Sequence, residues 1–296
     1  MDHRTYLKID LNKLEHNYNS VRNKLPSGVK LLGVIKANAY GNGAVEIGKF
    51  LDDKCDFFGV ACIEEAIELK KAGIKTPILI LGRVFPFDVE KAVKYDIRIP
   101  IFSYDDAVIL SNEAVKQNKN MPYHFCIDTG MSRIGFQVNE ESADICKRIT
   151  ELPNIFAEGM FSHFATSDEA DLSKAVEQRN KYKRFCKMLS DRKIEIPIKH
   201  LNNSAGIMNF DEYFDMCRMG IVTYGLYPSE EVDKSLLDIE PIMSWYTKIS
   251  HIKELEPKRE ISYGGTFITE KTTKVATIPI GYADAFPRCL SNKGKV

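Results

Sequence analysis

Residues 29–81 read VKLLGVIKANAYGNGAVEIGKFLDDKCDFFGVACIEEAIELKKAGIKTPILIL. Three short apolar runs, at 29–36, 57–62 and 77–81, are held apart by two longer segments, 42–53 and 63–71. In the first of these, Val45, Ile47, Gly48 and Leu51 share one side of a helix. The runs themselves alternate little, as parallel strands covered on both faces do. Strand, helix, strand, helix, strand is the unit of a parallel α/β fold.

The unit repeats outward from there. Strands are predicted at 97–102, 123–128, 155–163, 197–201 and 213–219, with helices at 105–116, 140–151 and 173–192. Ser173 is the expected N-cap of the last helix, with Glu177 near its start to complement the dipole. Eight strands separated by helices predict a (β/α)8 TIM-like barrel, an α/β fold, rather than an open sheet. No G-x-G-x-x-G follows the first strand, which argues against a dinucleotide-binding fold. Ahead of it, 5–11 alternates apolar and polar residues and 12–25 reads as a helix. After Pro228 the texture changes, and 243–252, 266–268 and 274–280 predict successive strands with polar turns. Residues 229–238 are expected to form an exposed linker. The expected domains are thus a barrel, 1–232, and a mainly β C-terminal domain, 233–296. The second is expected to be truncated, because Lys293-Gly294-Lys295-Val296 reads as a turn and the first residue of another strand.

The chain has 296 residues, 44% of them apolar and 28% charged, enough for a large core without disulfides or metals. Lys plus Arg and Asp plus Glu both number 41. That balance gives no electrostatic reason to expect nucleic acid or an anionic membrane as partner. Seven scattered cysteines without a Cys-x-x-Cys pair fit reduced thiols in a cytoplasm. The start, Met1-Asp2-His3-Arg4, has no apolar signal segment, and no apolar run is long enough to span a bilayer. A cytoplasmic location is expected, with a small molecule or a second copy of the chain as partner.

In such a barrel, function gathers where strands end. The first strand ends in Val34-Ile35-Lys36-Ala37-Asn38-Ala39-Tyr40-Gly41. A lysine closing a buried apolar strand is poorly solvated, which lowers its pKa and suits it to Schiff-base chemistry. The bland alternative is a lysine snorkelling at the rim. The fifth strand leads into Asp128-Thr129-Gly130-Met131-Ser132-Arg133, the sixth ends at His163, the seventh precedes Asn203-Ser204-Ala205, and the eighth runs into Arg218-Met219-Gly220-Ile221. Taken singly, Arg133 can pair with a rim carboxylate, His163 can be a satisfied core histidine, and Ser204 can be a helix N-cap. Together they put a lysine, two arginines, an imidazole and phosphate-compatible donors on one rim. The combination favours a phosphorylated cofactor that carries a carbonyl.

Seven ordered motifs resemble the alanine racemase family of fold-type III pyridoxal-phosphate enzymes: 34–41, 128–135, 162–165, 203–205, 218–221, Ser262-Tyr263-Gly264 and Gly281-Tyr282-Ala283-Asp284. The resemblance implies a homodimer of barrel-plus-β chains that interconverts L- and D-alanine for bacterial cell-wall peptidoglycan. It implies that Lys36 carries pyridoxal 5'-phosphate and that Lys36 and Tyr263 are the two catalytic acid/bases, Tyr263 reaching across the dimer interface. Tyr40, Asn203, Ser204, Gly220 and Ile221 would hold the phosphate end, His163 would lie against the cofactor ring, and Arg218 would face its nitrogen. Arg133 and Tyr282 would meet the substrate; no metal is implied. Three departures, Asn42, Met219 and Ala285, fall at positions without chemistry. Cys126 replaces a lysine that is carboxylated in many relatives and steadies the arginine, so Arg133 must be oriented otherwise. The pattern also implies a longer C-terminal part. The competing readings are a serine racemase of the same family and a non-catalytic pyridoxal-phosphate-binding barrel.

Overall fold

The computed structural model describes residues 3–296. Eight parallel strands follow one another round a barrel: Lys30–Val34, Phe57–Val60, Ile78–Ile80, Ile99–Ile101, Met121–Asp128, Ile155–Phe161, Ile198–His200 and Met216–Met219. The last pairs with the first, Arg218 opposite Leu32. A single bridge between Leu79 and Arg98 joins the third to the fourth and closes the ring. Each strand lies inside, or overlaps, a run expected from the sequence. Several are buried along their whole length, as parallel strands sheathed by helices should be. Leu32, Val34, Phe57, Leu79, Ile198 and Met216 form a packed cluster with Leu81 against it.

Helices Ala44–Leu51, Ile63–Lys71, Val89–Lys94, Tyr104–Lys116, Glu140–Ile149 and Ser173–Asp191 cover the outside. Ser103 and Asn139 cap two of them, accepting from the N–H groups of Asp106 and Ser142. Ser173 is not an N-cap: it is the first helical residue, Leu172 holds the cap position, and Asp171 Oδ1 accepts the Ser173 N–H at 2.9 Å. A carboxylate two residues upstream accepts the N–H of the serine itself.

The domain boundary differs from the expected one. The chain forms two compact units, Leu11–Ile242 and a unit joining the stretch before Leu11 to Met243–Val296. Residues 229–238 are not a free linker. Val232 and Leu237 are buried, Ala170 N–H donates to Glu231 Oε2 at 2.6 Å, and Tyr227 Oη donates to the Leu237 carbonyl at 2.8 Å. Charges in that run hid two apolar anchors. At the other end, Thr5–Ile9 leaves the barrel unit because it pairs antiparallel with Met243–Thr247.

Within the second unit, His251–Leu255 pairs with Thr273–Thr277, and Glu260–Ile261 with Phe267–Ile268. The strand expected over 243–252 is therefore two strands, broken at residues 248–250. Residues 291–296 hold turns, with no strand at Val296. Among the described residues no helix is long and apolar enough to cross a membrane.

Several glycines of the barrel unit are required by contact, Gly225 among them. Gly225 has φ of 77° and ends the turn Ile221–Tyr224; a Cβ there would stand 1.8 Å from the Glu240 carbonyl oxygen. Asn17, fully buried, clamps the same place, donating to the Thr223 and Glu240 carbonyls and accepting from the Glu240 N–H. Gly225→Ala is expected to cost about 3 kcal/mol or more, through backbone displacement and left-handed strain. A urea titration checks this; an unchanged midpoint would mean the loop simply moves aside.

Candidate active site

Lys36 follows the first strand directly, and the chain then does something unusual. Ala37, Asn38, Ala39 and Tyr40 have φ of 51°, 52°, 52° and 55°, one left-handed turn built without glycine. Such a conformation costs roughly 1–2 kcal/mol per residue, so its surroundings must hold it. They do. Glu65 accepts from the N–H groups of Ala37 and Ala61 at 2.6 and 2.7 Å, Asn38 Oδ1 accepts from the Ala44 N–H, and Asn42 Nδ2 donates to the Ala39 carbonyl. The turn throws Lys36 and Tyr40 toward the same opening.

That opening has two lobes, of about 340 and about 360 Å³, which share Lys36, Leu81, Met131, His163 and Arg218. Arg133 and Cys126 line the first; Tyr40, Asn203, Ser204, Gly220 and Ile221 line the second. Nine residues singled out from the sequence thus surround one cavity. Tyr263 and Tyr282 belong to the other unit, where they are 92% and 69% exposed.

Electrostatics differ across the opening. Burial, then the Arg133 charge, hold the Lys36 ammonium below its ordinary pKa, with Glu65 opposing. Burial, with Arg218, Arg133 and Lys36, pulls His163 down to about 3, so its imidazole is neutral. Burial lowers Arg218 only to about 10, leaving it cationic at neutral pH. Its Nη1 donates to His200 Nδ1 and the His200 carbonyl, and its Nη2 to the Ser162 and Leu201 carbonyls and to His163 Nδ1. Nε–H is left as the guanidinium donor with no acceptor among the described residues, on a side chain that lines the cavity. His163 is therefore no closed core histidine. Ser204 is not an N-cap either: Asn203 caps the helix Ser204–Asn209, and Ser204 Oγ accepts the Gly220 N–H at 3.0 Å.

No carboxylate pairs with Arg133 among the described residues, so the alternative of a rim ion pair is not met; Arg133 lines the cavity instead. Burial pushes the Cys126 thiol up to about 12, and its Sγ lies 3.7 Å from the Ile134 carbonyl. A neutral thiol stands where the family pattern has an anionic group. Sequence reading missed Glu65, which grips the Lys36 turn, and His200, which grips Arg218. A histidine inside the apolar run 197–201 was the available signal.

A Cβ on Gly220 would lie 3.4 Å from Ser204 Oγ and 3.5 Å from Tyr40 Oη. Two hydroxyls and the amides opening the turn Ile221–Tyr224 therefore converge on one small space without a lysine or arginine. Neutral donors of this kind suit a phosphate group. Gly220→Ala is expected to weaken phosphate-cofactor binding at least about 10-fold by filling that space, with the fold retained. Titration with pyridoxal phosphate checks it; unchanged affinity would place the phosphate elsewhere.

The family models for the alanine racemase N-terminal and C-terminal domains match residues 9–228 and 242–296. The chain belongs to the alanine racemase family. These are isomerases acting on amino acids. The alanine racemase of Clostridium tetani is 43% identical over 291 residues, a match spanning 98% of this chain and 75% of that protein. That of Halothermothrix orenii is 41% identical, spanning 99% and 77%. The solved alanine racemase of Clostridium difficile 630 superposes with a TM-score of 0.94 at 41% identity, over 97% of this chain and 76% of that one. The alanine racemase of Bartonella henselae, solved with covalently bound pyridoxal phosphate, gives 0.83 at 28% identity, over 97% and 78%.

Proposed function

We propose that this chain interconverts L- and D-alanine with pyridoxal 5'-phosphate at the barrel mouth, as a cytoplasmic homodimer. Its D-alanine would supply bacterial peptidoglycan. The observation that carries the reading is the convergence of Lys36, Arg218 and the Tyr40–Ser204–Gly220 space on one cavity. The residues present fit the cofactor: neutral donors for its phosphate, an amine for its carbonyl, and one free guanidinium N–H for its ring nitrogen. The Bartonella relative's covalently bound pyridoxal phosphate supports the same assignment.

When bound, the cofactor supplies an electron sink that loosens the α-proton of the attached amino acid. The chain's own groups do the rest. Racemisation needs a proton acceptor on one face of Cα and a donor on the other. Lys36 Nζ serves one face, and its lowered pKa leaves more of it as free amine near neutral pH. The phenol of Tyr263, supplied by the partner of the dimer, serves the other. Arg218 does not surrender its proton, so it offers the ring nitrogen a hydrogen bond and no acid. His163 packs against the ring, and Asn203 supports Ser204 at the phosphate end. Arg133 and Tyr282 meet the substrate.

The test is production of D-amino acid by the purified chain with added pyridoxal phosphate, from L-alanine and from L-serine in parallel. D-alanine is expected to form at least about 10-fold faster than D-serine. A serine preference would favour the serine racemase reading. No cofactor-dependent product from either would overturn the proposal.

A further inference from the structure

Arg218 is 3% exposed, charged, and touches only neutral acceptors. A buried cation without a partner is expensive. Among the described residues, a chain of hydrogen bonds leads from Arg218 through the barrel to a carboxylate. His200 Nε2 lies 2.9 Å from His124 Nδ1, and His124 Nε2 lies 3.2 Å from Glu158 Oε2. Glu158 also accepts from Arg98 Nε and Nη2 at 3.1 and 3.2 Å.

One arrangement of protons satisfies this chain of contacts. A guanidinium only donates, so His200 Nδ1 must accept, which puts the His200 hydrogen on Nε2. That hydrogen is donated to His124 Nδ1, and the His124 hydrogen is then on Nε2, facing Glu158. Burial holds both imidazoles neutral; hydrogen bonds from His124 and Arg98 overcome burial and hold the Glu158 carboxyl at about 2. Reversing the direction would require a charged imidazole or a protonated carboxyl. Upward, Arg218 Nη2 shares its two hydrogens among the Ser162 and Leu201 carbonyls and His163 Nδ1; a hydrogen on that Nδ1 would face a donor, so the His163 hydrogen sits on Nε2. Every link is thus polarised in one direction, from Arg218 to Glu158.

The backbone makes room for it. His124 lies beside Gly159, where a Cβ would come within 2.4 Å of the His124 ring, and the strand register shifts between Tyr123 and His124. Levels rise in step along the strands: His124 pairs with Gly159, His200 with Phe161 and Met216, and Arg218 stands two residues further on.

We propose that Glu158, which Arg98 also engages, anchors a hydrogen-bond relay through His124 and His200, and that this relay positions Arg218 and sets the His163 tautomer. Its existence stands on the barrel geometry; its effect on turnover rests on the function proposed above. The experiment is long-range nitrogen–proton NMR of the full chain, labelled in its histidines and loaded with pyridoxal phosphate. His124, His200 and His163 are expected as neutral Nε2–H tautomers. In Glu158→Gln the His200 and His163 nitrogen signals are expected to move, and kcat to fall about 10-fold with KM nearly unchanged. His124→Phe is expected to reproduce both changes, and the double variant to add little to either. Any of the three rings as Nδ1–H or as imidazolium in the wild type would overturn the relay, even if Glu158→Gln fails to fold. So would additive losses in the double variant. The expected tautomers in a chain without racemase activity would instead sink the proposed function and leave the relay standing.

Discussion

Lys36→Ala is expected to lower racemase turnover by at least about 10⁴-fold and to remove the visible absorbance of lysine-bound pyridoxal phosphate. Both losses would come from one atom, because in the proposed mechanism Nζ is both the covalent anchor and the acid/base for one face. The lysine closes the strand Lys30–Val34 through Ile35, and the left-handed turn after it is braced by Glu65, Asn38 and Asn42 rather than by the lysine side chain. The variant should therefore fold and still take up the cofactor without covalent attachment, through Tyr40, Ser204 and Gly220. A rim lysine that merely snorkels to solvent predicts no change in either readout. Absorbance spectra of both proteins with added cofactor, beside a D-alanine assay, separate the two. Unchanged absorbance in the variant would move the anchor to another residue and remove the centre of the proposed function.

What made Lys36 legible is local: an apolar run long enough to be a buried strand, ending in a charge. The same is true of the barrel, whose eight runs are each short, apolar and spaced by helical segments. The relay beneath Arg218 was illegible for the opposite reason. Arg98, His124, Glu158 and His200 come from four strands or their ends, and only the register of those strands brings them into line. Gly159 gives no sign in sequence that it makes room for an imidazole. The domain boundary failed on a third ground. The run at 229–238 is charged, yet Val232 and Leu237 bury themselves in the barrel unit, so composition outvoted two residues that decide the packing. Short-range pattern specifies the elements; contacts across the sheet specify which polar residues share the core.

Tyr263→Phe is expected to lower turnover about 10²- to 10⁴-fold while leaving cofactor binding by Lys36 intact. Tyr263 sits in a tight turn whose neighbours Ser262, Gly264 and Gly265 all have positive φ, and it is 92% exposed. A tyrosine so displayed, if it were only surface, would lose nothing when its hydroxyl is removed. If it serves one face of Cα, the loss has a signature. In deuterated water one enantiomer of alanine should still exchange its α-proton through Lys36, while exchange of the other collapses. Equal loss from both enantiomers, or from neither, would end its role as the second acid/base. Mixing chains then tests where it acts. Lys36→Ala and Tyr263→Phe chains are each expected to keep about 1% of wild-type turnover or less alone. In a mixed dimer with Tyr263 acting across the interface, one site has both residues intact and the other has neither. Random pairing should then restore about a quarter of the wild-type activity, since half the dimers are mixed and half their sites complete. If Tyr263 serves its own chain, no site in any dimer is complete and mixing restores nothing.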